Sequence, residues 1–174
     1  AAVDGASIGM GTVMLFHCDY VLASNAATFS APYIHLGLAP VGAASLLMPN
    51  TMGYQRAFAM LVMGRTFTAA EAHAAGFVNT VVSPGHTEVE ARKVAREICR
   101  LPAEAVATSR KLLRAPAEQL PRRIDQGRHL FGERLKADEA VSEFKTFACR
   151  EERTGVLFPC LTGAVGVPPP GGEH

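Results

Sequence analysis

The chain has 174 residues, the size of one domain, and 48% of them are apolar against 19% charged, which suits a packed core and argues against wholesale disorder. Seventeen Lys and Arg against sixteen Asp and Glu leave a net charge of +1, so nothing calls for nucleic acid or an anionic membrane as partner. No uninterrupted apolar run is long enough to span a bilayer.

The opening Ala1-Ala2-Val3-Asp4-Gly5 reads as the end of a buried strand entering a turn. It lacks the charged region, apolar stretch and cleavage site of a signal peptide. Because a short lone strand is unstable without neighbours, the chain is expected to begin in mid-domain, with partners upstream or on another molecule. Residues 1–50 carry only two charged side chains, Asp4 and Asp19, and are expected to be largely buried. Ile8 to Phe16 is apolar on nearly all faces, the pattern of an interior helix. Short strands are predicted at 19–23 and 27–30, with Ser24-Asn25 as the turn.

Pro32, Gly37, Pro40 and Gly42 then punctuate a loop, and helices follow around 43–48 and 54–63, the second ending at Gly64. Thr68 and Glu71 form a capping box for a helix over 69–75 closed by Gly76. A strand over 77–82 stops at Ser83-Pro84-Gly85. Helical patterning continues over 87–100, 103–114, 117–135 and 137–152. Leu120, Ile124, Phe131 and Leu135 share one face, and Val141, Phe144 and Ala148 another, so these helices are expected to dock on apolar surface. Residues 154–174 hold five Gly, four Pro and one charged side chain, Glu173, the composition of a flexible Gly/Pro-rich tail over 153–174. The four cysteines, Cys18, Cys99, Cys149 and Cys160, are far apart without a CxxC pair. That spacing gives neither a metal site nor a compact disulfide framework and suits a reducing compartment.

The stretch Asp4-Gly5-Ala6-Ser7-Ile8-Gly9-Met10-Gly11 is the candidate motif for chemistry. Its G-x-x-x-G-x-G spacing is neither the dinucleotide fingerprint nor a P-loop. Small residues between a strand and a helix permit a tight turn that leaves free N–H groups, which can stabilise a developing oxyanion. The same glycines also serve close helix packing.

Residues 1–11, Cys18-Asp19 and Ala27-Thr28-Phe29 resemble the enoyl-CoA hydratase/isomerase (crotonase) family. So does Leu61-Val62-Met63-Gly64-Arg65-Thr66-Phe67-Thr68-Ala69-Ala70-Glu71-Ala72 with Gly76-Phe77-Val78-Asn79. Motif order and spacing hold over residues 1 to about 152. The resemblance implies an α/β fold, part of a crotonase (ClpP-like) spiral of ββα units over 1–85, followed by a helical trimerisation region over 86–152. The family's N-terminal half, which supplies much of the CoA site and one oxyanion-hole amide, has no counterpart among these residues. The resemblance further implies an acyl-CoA substrate, CoA being part of the substrate with no separate cofactor or metal, and a homotrimer or hexamer. The compartment it implies is cytoplasmic, or mitochondrial or peroxisomal in a eukaryote.

The resemblance implies that Met10 supplies a backbone N–H to the thioester oxygen and that Gly9, Gly11, Val13, Val41 and Gly42 surround the substrate. The hydratases' two glutamate positions fall on Val13 and Tyr33, and the isomerases' single glutamate on Val41 of Ala39-Pro40-Val41-Gly42. Pro32-Tyr33-Ile34-His35-Leu36-Gly37 with Pro40 and Gly42 is closer in pattern to the Δ3,Δ2-isomerase branch. None of the three residues can serve as a carboxylate base. Tyr33 can act as a weak acid or hydrogen-bond donor, or simply as pocket wall, its ordinary pKa of about 10 suiting proton abstraction poorly.

His35 has the pKa range of a base but equally suits a backbone-bonded loop position, and His17 reads as a satisfied core histidine. Asp4 and Asp19 suit turn and strand-edge roles, and Ser45 has no evident partners for a nucleophile. Arg110, Lys111, Arg114, Arg122 and Arg123 can meet CoA phosphates or remain solvated, and Met48, Met52, Met60 and Met63 can line an acyl pocket or fill core. Two other functions stay open beside hydratase/isomerase: a non-catalytic acyl-CoA binding or assembly subunit, and a truncated inactive homologue.

Overall fold

The computed structural model of the chain describes residues 1–114 and 119–154. Up to Ser30 the chain alternates short strands with one helix: β1 (Ala2–Val3), β2 (Ala6–Ile8), α1 (Met10–Leu15), β3 (Leu22–Ser24) and β4 (Thr28–Ser30). A 3-10 turn at Tyr33–Leu36 precedes α2 (Ala44–Met52) and α3 (Tyr54–Leu61). Then come β5 (Phe67–Thr68), α4 (Ala69–Ala74), β6 (Thr80–Val82), α5 (Thr87–Cys99), α6 (Ala103–Leu113), α7 (Gln119–Leu135) and α8 (Asp138–Thr154).

Two small sheets result, ordered β1-β3-β6 and β2-β4-β5. Every pairing is parallel except β4 with β5. Parallel neighbours need a crossover between them, and α1 lies on both of the first two, from β1 to β3 and from β2 to β4. Each pass of the chain thus lays one strand in each sheet. Asn79 ties two passes together: its Oδ1 accepts from Val21 N–H at 2.7 Å while its own N–H donates to Val21 O at 2.8 Å.

The core sits between the sheets and α1–α4, where Phe29, Met48, Met60 and Val13 are fully buried. Phe77 stacks on Phe16 at a centroid distance of 4.9 Å and meets Phe29 edge-on at 5.4 Å. The capping box expected at Thr68 is present: Glu71 N–H donates to Thr68 Oγ1, and Glu71 Oε2 accepts from Thr68 N–H at 2.7 Å.

Several expectations need correction. The apolar run Ile8–Phe16 is not one helix, because β2 continues to Ile8 and α1 starts at Met10. Nor is it interior all round: Met10 and Met14 are exposed, since only the Thr12, Val13 and Leu15 face packs inward. The third and sixth strands start later than predicted, β3 at Leu22 and β6 at Thr80, with Phe77 and Val78 serving as core side chains outside the ladder. Pro49 lies within α2 instead of ending it.

On α7 and α8 only Phe131 and Phe144, among the seven residues expected to dock, are partly buried against the core. Ile124, Leu135 and Val141 are exposed. Met48, Met52 and Met60 fill core, and Met63 is exposed. Residues 155–174, the greater part of the expected tail, lie outside the described residues. Among the described residues no helix is long and apolar enough to cross a membrane, and no cluster of His, Cys, Asp or Glu is arranged for a metal.

One tertiary contact joins sequence-distant charges. Arg110 Nε and Arg114 Nε both donate to Asp19, at 2.8 and 2.9 Å, holding α6 to the segment between α1 and β3. Partial burial pushes the Asp19 carboxyl up, but the hydrogen bonds and charges of the two arginines outweigh it and hold it below its ordinary 3.8. A depressed carboxylate stabilises the folded state above its unfolded-state value, and that contribution is lost as pH falls through the folded-state value. Amide exchange in α6 is therefore expected to accelerate only below about pH 4, and Asp19→Asn should show the acid behaviour already at neutral pH.

Candidate functional site

The site is built where β2 passes into α1. Gly9 adopts φ 59° and ψ −120°, a region closed to side chains, and donates its N–H to Ser30 O at 2.8 Å. That turn makes Met10 the first residue of α1, where a backbone N–H has no intrahelical acceptor. Gly9 brings no side-chain cap, and among the described residues no acceptor is paired with Met10 N–H. Thr12 Oγ1 donates back to Ser7 O at 2.6 Å and closes the turn from the other side.

The loop before α2 meets this turn. Gly42 has φ 62°, and a Cβ placed on it would lie 2.9 Å from Val13 Cγ1 and 3.3 Å from Met10 Sδ. Met10, Val13 and Gly42 are thus brought together, with Val41 half-buried beside them. Gly11 approaches Ser7, whose Oγ would lie 3.4 Å from an added Cβ.

Tyr33 is held apart in the 3-10 turn. Its ring is buried in the core, its hydroxyl has no hydrogen-bond partner, and burial pushes its pKa up to about 12. Near neutrality it stays protonated, which rules out proton abstraction but leaves a donor. His35 is exposed and lies over Gly64, too close for any side chain there. Asp4 and Ser45 are exposed, as are Arg122 and Arg123, whereas Arg110 and Arg114 are engaged with Asp19.

Two features escaped the sequence reading. His17, just past α1, places Nε2 2.9 Å from Gly42 O, and only its burial, not its partner, was suggested by the apolar run around it. A groove of about 920 Å³ opens at the C-terminal end of α1, lined by Phe16, Leu46, Leu47, Ile98 and Leu113 with Arg114 at its edge. Its walls come from segments far apart in sequence, and no local pattern announces it.

The chain matches the family model of enoyl-CoA hydratase/isomerase over residues 1–153. The chain belongs to the enoyl-CoA hydratase/isomerase family. It is 29% identical over 154 residues to enoyl-CoA delta isomerase 2 of Rattus norvegicus, covering 88% of this chain and 39% of that protein. It is 35% identical over 133 residues to a protein named probable enoyl-CoA hydratase from Rhizobium meliloti, covering 72% of this chain and 52% of the relative. The crystal structure of an enoyl-CoA hydratase/isomerase from Pseudoalteromonas atlantica superposes with TM-score 0.82 at 34% identity, over 84% of this chain and 60% of that one. The fold is accordingly a partial crotonase-like α/β fold with helices toward its C-terminal end. The chain spans about half the length, or less, of these two curated relatives.

Proposed function

We propose that this chain handles acyl-CoA thioesters, with the Met10 N–H donating to the thioester oxygen and stabilising enolate-like charge in the manner of enoyl-CoA hydratases and isomerases. The observation that carries the reading is the unpaired N–H created by the Gly9 turn, next to the contact of Met10 and Val13 with Gly42. Gly9, Gly11, Val13, Val41 and Gly42 form the surrounding wall, and Tyr33 is kept as a donor only. The substrate brings its own CoA, so no separate cofactor is invoked. Assembly into a homotrimer or hexamer through the helices after residue 86 belongs to the same proposal.

A second reading, an acyl-CoA binder without turnover, is favoured by one specific observation. The three family acid positions hold Val13, fully buried, Tyr33, buried and protonated, and Val41, half-buried. Crotonyl-CoA and a 3-enoyl-CoA followed by absorbance, with calorimetry on the same thioesters, separate the two readings. Binding with turnover supports the enzyme, and binding alone supports the binder.

Met10→Pro tests the donor itself, because proline fits the first position of a helix yet lacks the N–H. Affinity should weaken about tenfold, the worth of one neutral hydrogen bond. Any turnover should fall about 10²–10³-fold. A folded Met10→Pro chain that binds as tightly as wild type would remove the proposed role of that amide.

A further inference from the structure

We propose that His17 is a positioning residue for the acyl-CoA site, acting through Gly42 on the wall formed with Met10 and Val13; its consequence for ligand binding rests on the function proposed above. The imidazole stands 2.9 Å from Gly42 O through Nε2. A carbonyl oxygen only accepts, so Nε2 carries the proton, and the neutral and protonated rings both make this bond. Among the described residues it is the one side-chain hydrogen bond to the loop of residues 38–43.

That loop needs holding. Gly42 and Ala43 are consecutive left-handed residues, with φ 62° and 59°, and Ala43 is the one non-glycine residue at positive φ among the described residues. An L-residue keeps such a conformation only where its surroundings over-determine it. On one side the loop presses Gly42 against Val13 and Met10. On the other, α7 approaches through Gly127, whose Cβ, if it had one, would stand 3.1 Å from Pro40 O.

The anchor is itself anchored. Arg114, at the C-terminal end of α6, donates from Nη2 to the main-chain oxygen of His17 and pairs with Asp19 at 2.7 Å. A chain of contacts therefore runs from α6 through His17 to Gly42 and on to the first turn of α1. Loss of the ring leaves Val13 and Met10 in place but frees the peptide at 42–43 to rotate. The pocket wall would then lose its shape without loss of the core.

The test compares His17→Ala with His17→Gln, whose side-chain amide can still donate to Gly42 O. Three readouts are taken: ¹⁵N shifts of the wild-type ring, amide exchange at each position, and calorimetry with hexanoyl-CoA as probe. The wild-type ring is expected as the Nε2–H form. In His17→Ala, exchange should rise about tenfold at Ala44, Leu46 and Leu47, whose N–H groups bond Val41 O and Ala43 O, while the β3–β6 ladder stays unchanged. Hexanoyl-CoA should bind about tenfold more weakly, and His17→Gln should recover both properties.

An Nδ1–H ring in the wild type overturns the proposal, even if His17→Ala does not fold. So does exchange that rises equally everywhere, exchange unchanged at 44–47, or unchanged affinity despite a loosened loop. If wild-type chain binds no hexanoyl-CoA, the proposed function falls and ligand positioning falls with it. Exchange then decides separately whether His17 holds the loop.

Discussion

Phe29→Ala is expected to destabilise the chain by about 3–5 kcal/mol, the range for emptying a fully buried aromatic site. Phe29 is the central residue of β4, paired to Ser7 on one side and to Phe67 on the other, so its side chain is held by two ladders. Its ring stands perpendicular to that of Phe77, which in turn stacks on Phe16. The backbone cannot follow the lost ring inward without breaking those ladders, and the cavity stays open. For a chain of this length, each kcal/mol moves the melting midpoint by about 2–4 °C, which places the variant roughly 10 °C below wild type. Thermal unfolding followed by circular dichroism measures the shift. A change below about 2 °C would mean that the aromatic cluster is not the centre of the core.

The elements around that cluster were legible because their signals are local. Thr68 and Glu71 lie three residues apart, and a capping box needs nothing else. Gly76 ends α4's region at φ 84° for a reason equally local. Asp19 to Ala23 showed the composition of a strand, but the ladder covers Leu22–Ser24, because the parallel register with Ala2–Val3 and Thr80–Val82 decides which residues pair. Register is a property of two segments, and one segment's composition does not contain it. Burial failed in the same way. A helix with apolar residues on every side has the right composition for an interior position, yet Met14 is 60% exposed. Periodicity identifies a stripe and says nothing of what covers it, which is also why Leu135 and Val141 were expected to dock and stand open.

The candidate site divides along the same line. Gly9, Met10 and Gly11 are contiguous, and a tight turn with free N–H groups could be argued from their order, while Met10 as the donor came from the family resemblance. The meeting of Val13 with Gly42 links positions twenty-nine residues apart through a missing Cβ and had no local sign. The hydrogen bond from His17 to Gly42 and the grip of Arg110 and Arg114 on Asp19 were hidden for the same reason. For His17 the sequence suggested a satisfied group, for Asp19 a strand-edge role, and for Arg110 and Arg114 a phosphate contact or solvation; only the fold names their partners.

Val41→Glu is expected to create isomerase activity on a 3-enoyl-CoA if the Met10 amide polarises the thioester. Moving a double bond from C3–C4 to C2–C3 requires a base to take a proton from C2 and return it to C4, and no residue now at the three acid positions does this. Position 41 is the one to change, since it lies beside Gly42, which touches Met10, and its φ is not in the left-handed region. Val13 is fully buried, so a carboxylate there would disrupt the core first. A half-buried glutamate at position 41 should cost about 1–3 kcal/mol of stability, and desolvation should lift its pKa above the ordinary 4.3 or so, toward the range in which a base works near neutrality. A positioned general base contributes about 10²–10⁴-fold, so appearance of the conjugated 2-enoyl thioester band should exceed the wild-type rate by that margin. Its rate should rise with pH as the new carboxylate ionises and then level off. A variant that melts cooperatively, binds the thioester and still shows no isomerisation would mean that the Met10 N–H is not aimed at the reacting carbonyl. The lack of a carboxylate at position 41 would then not be what limits isomerisation in this chain.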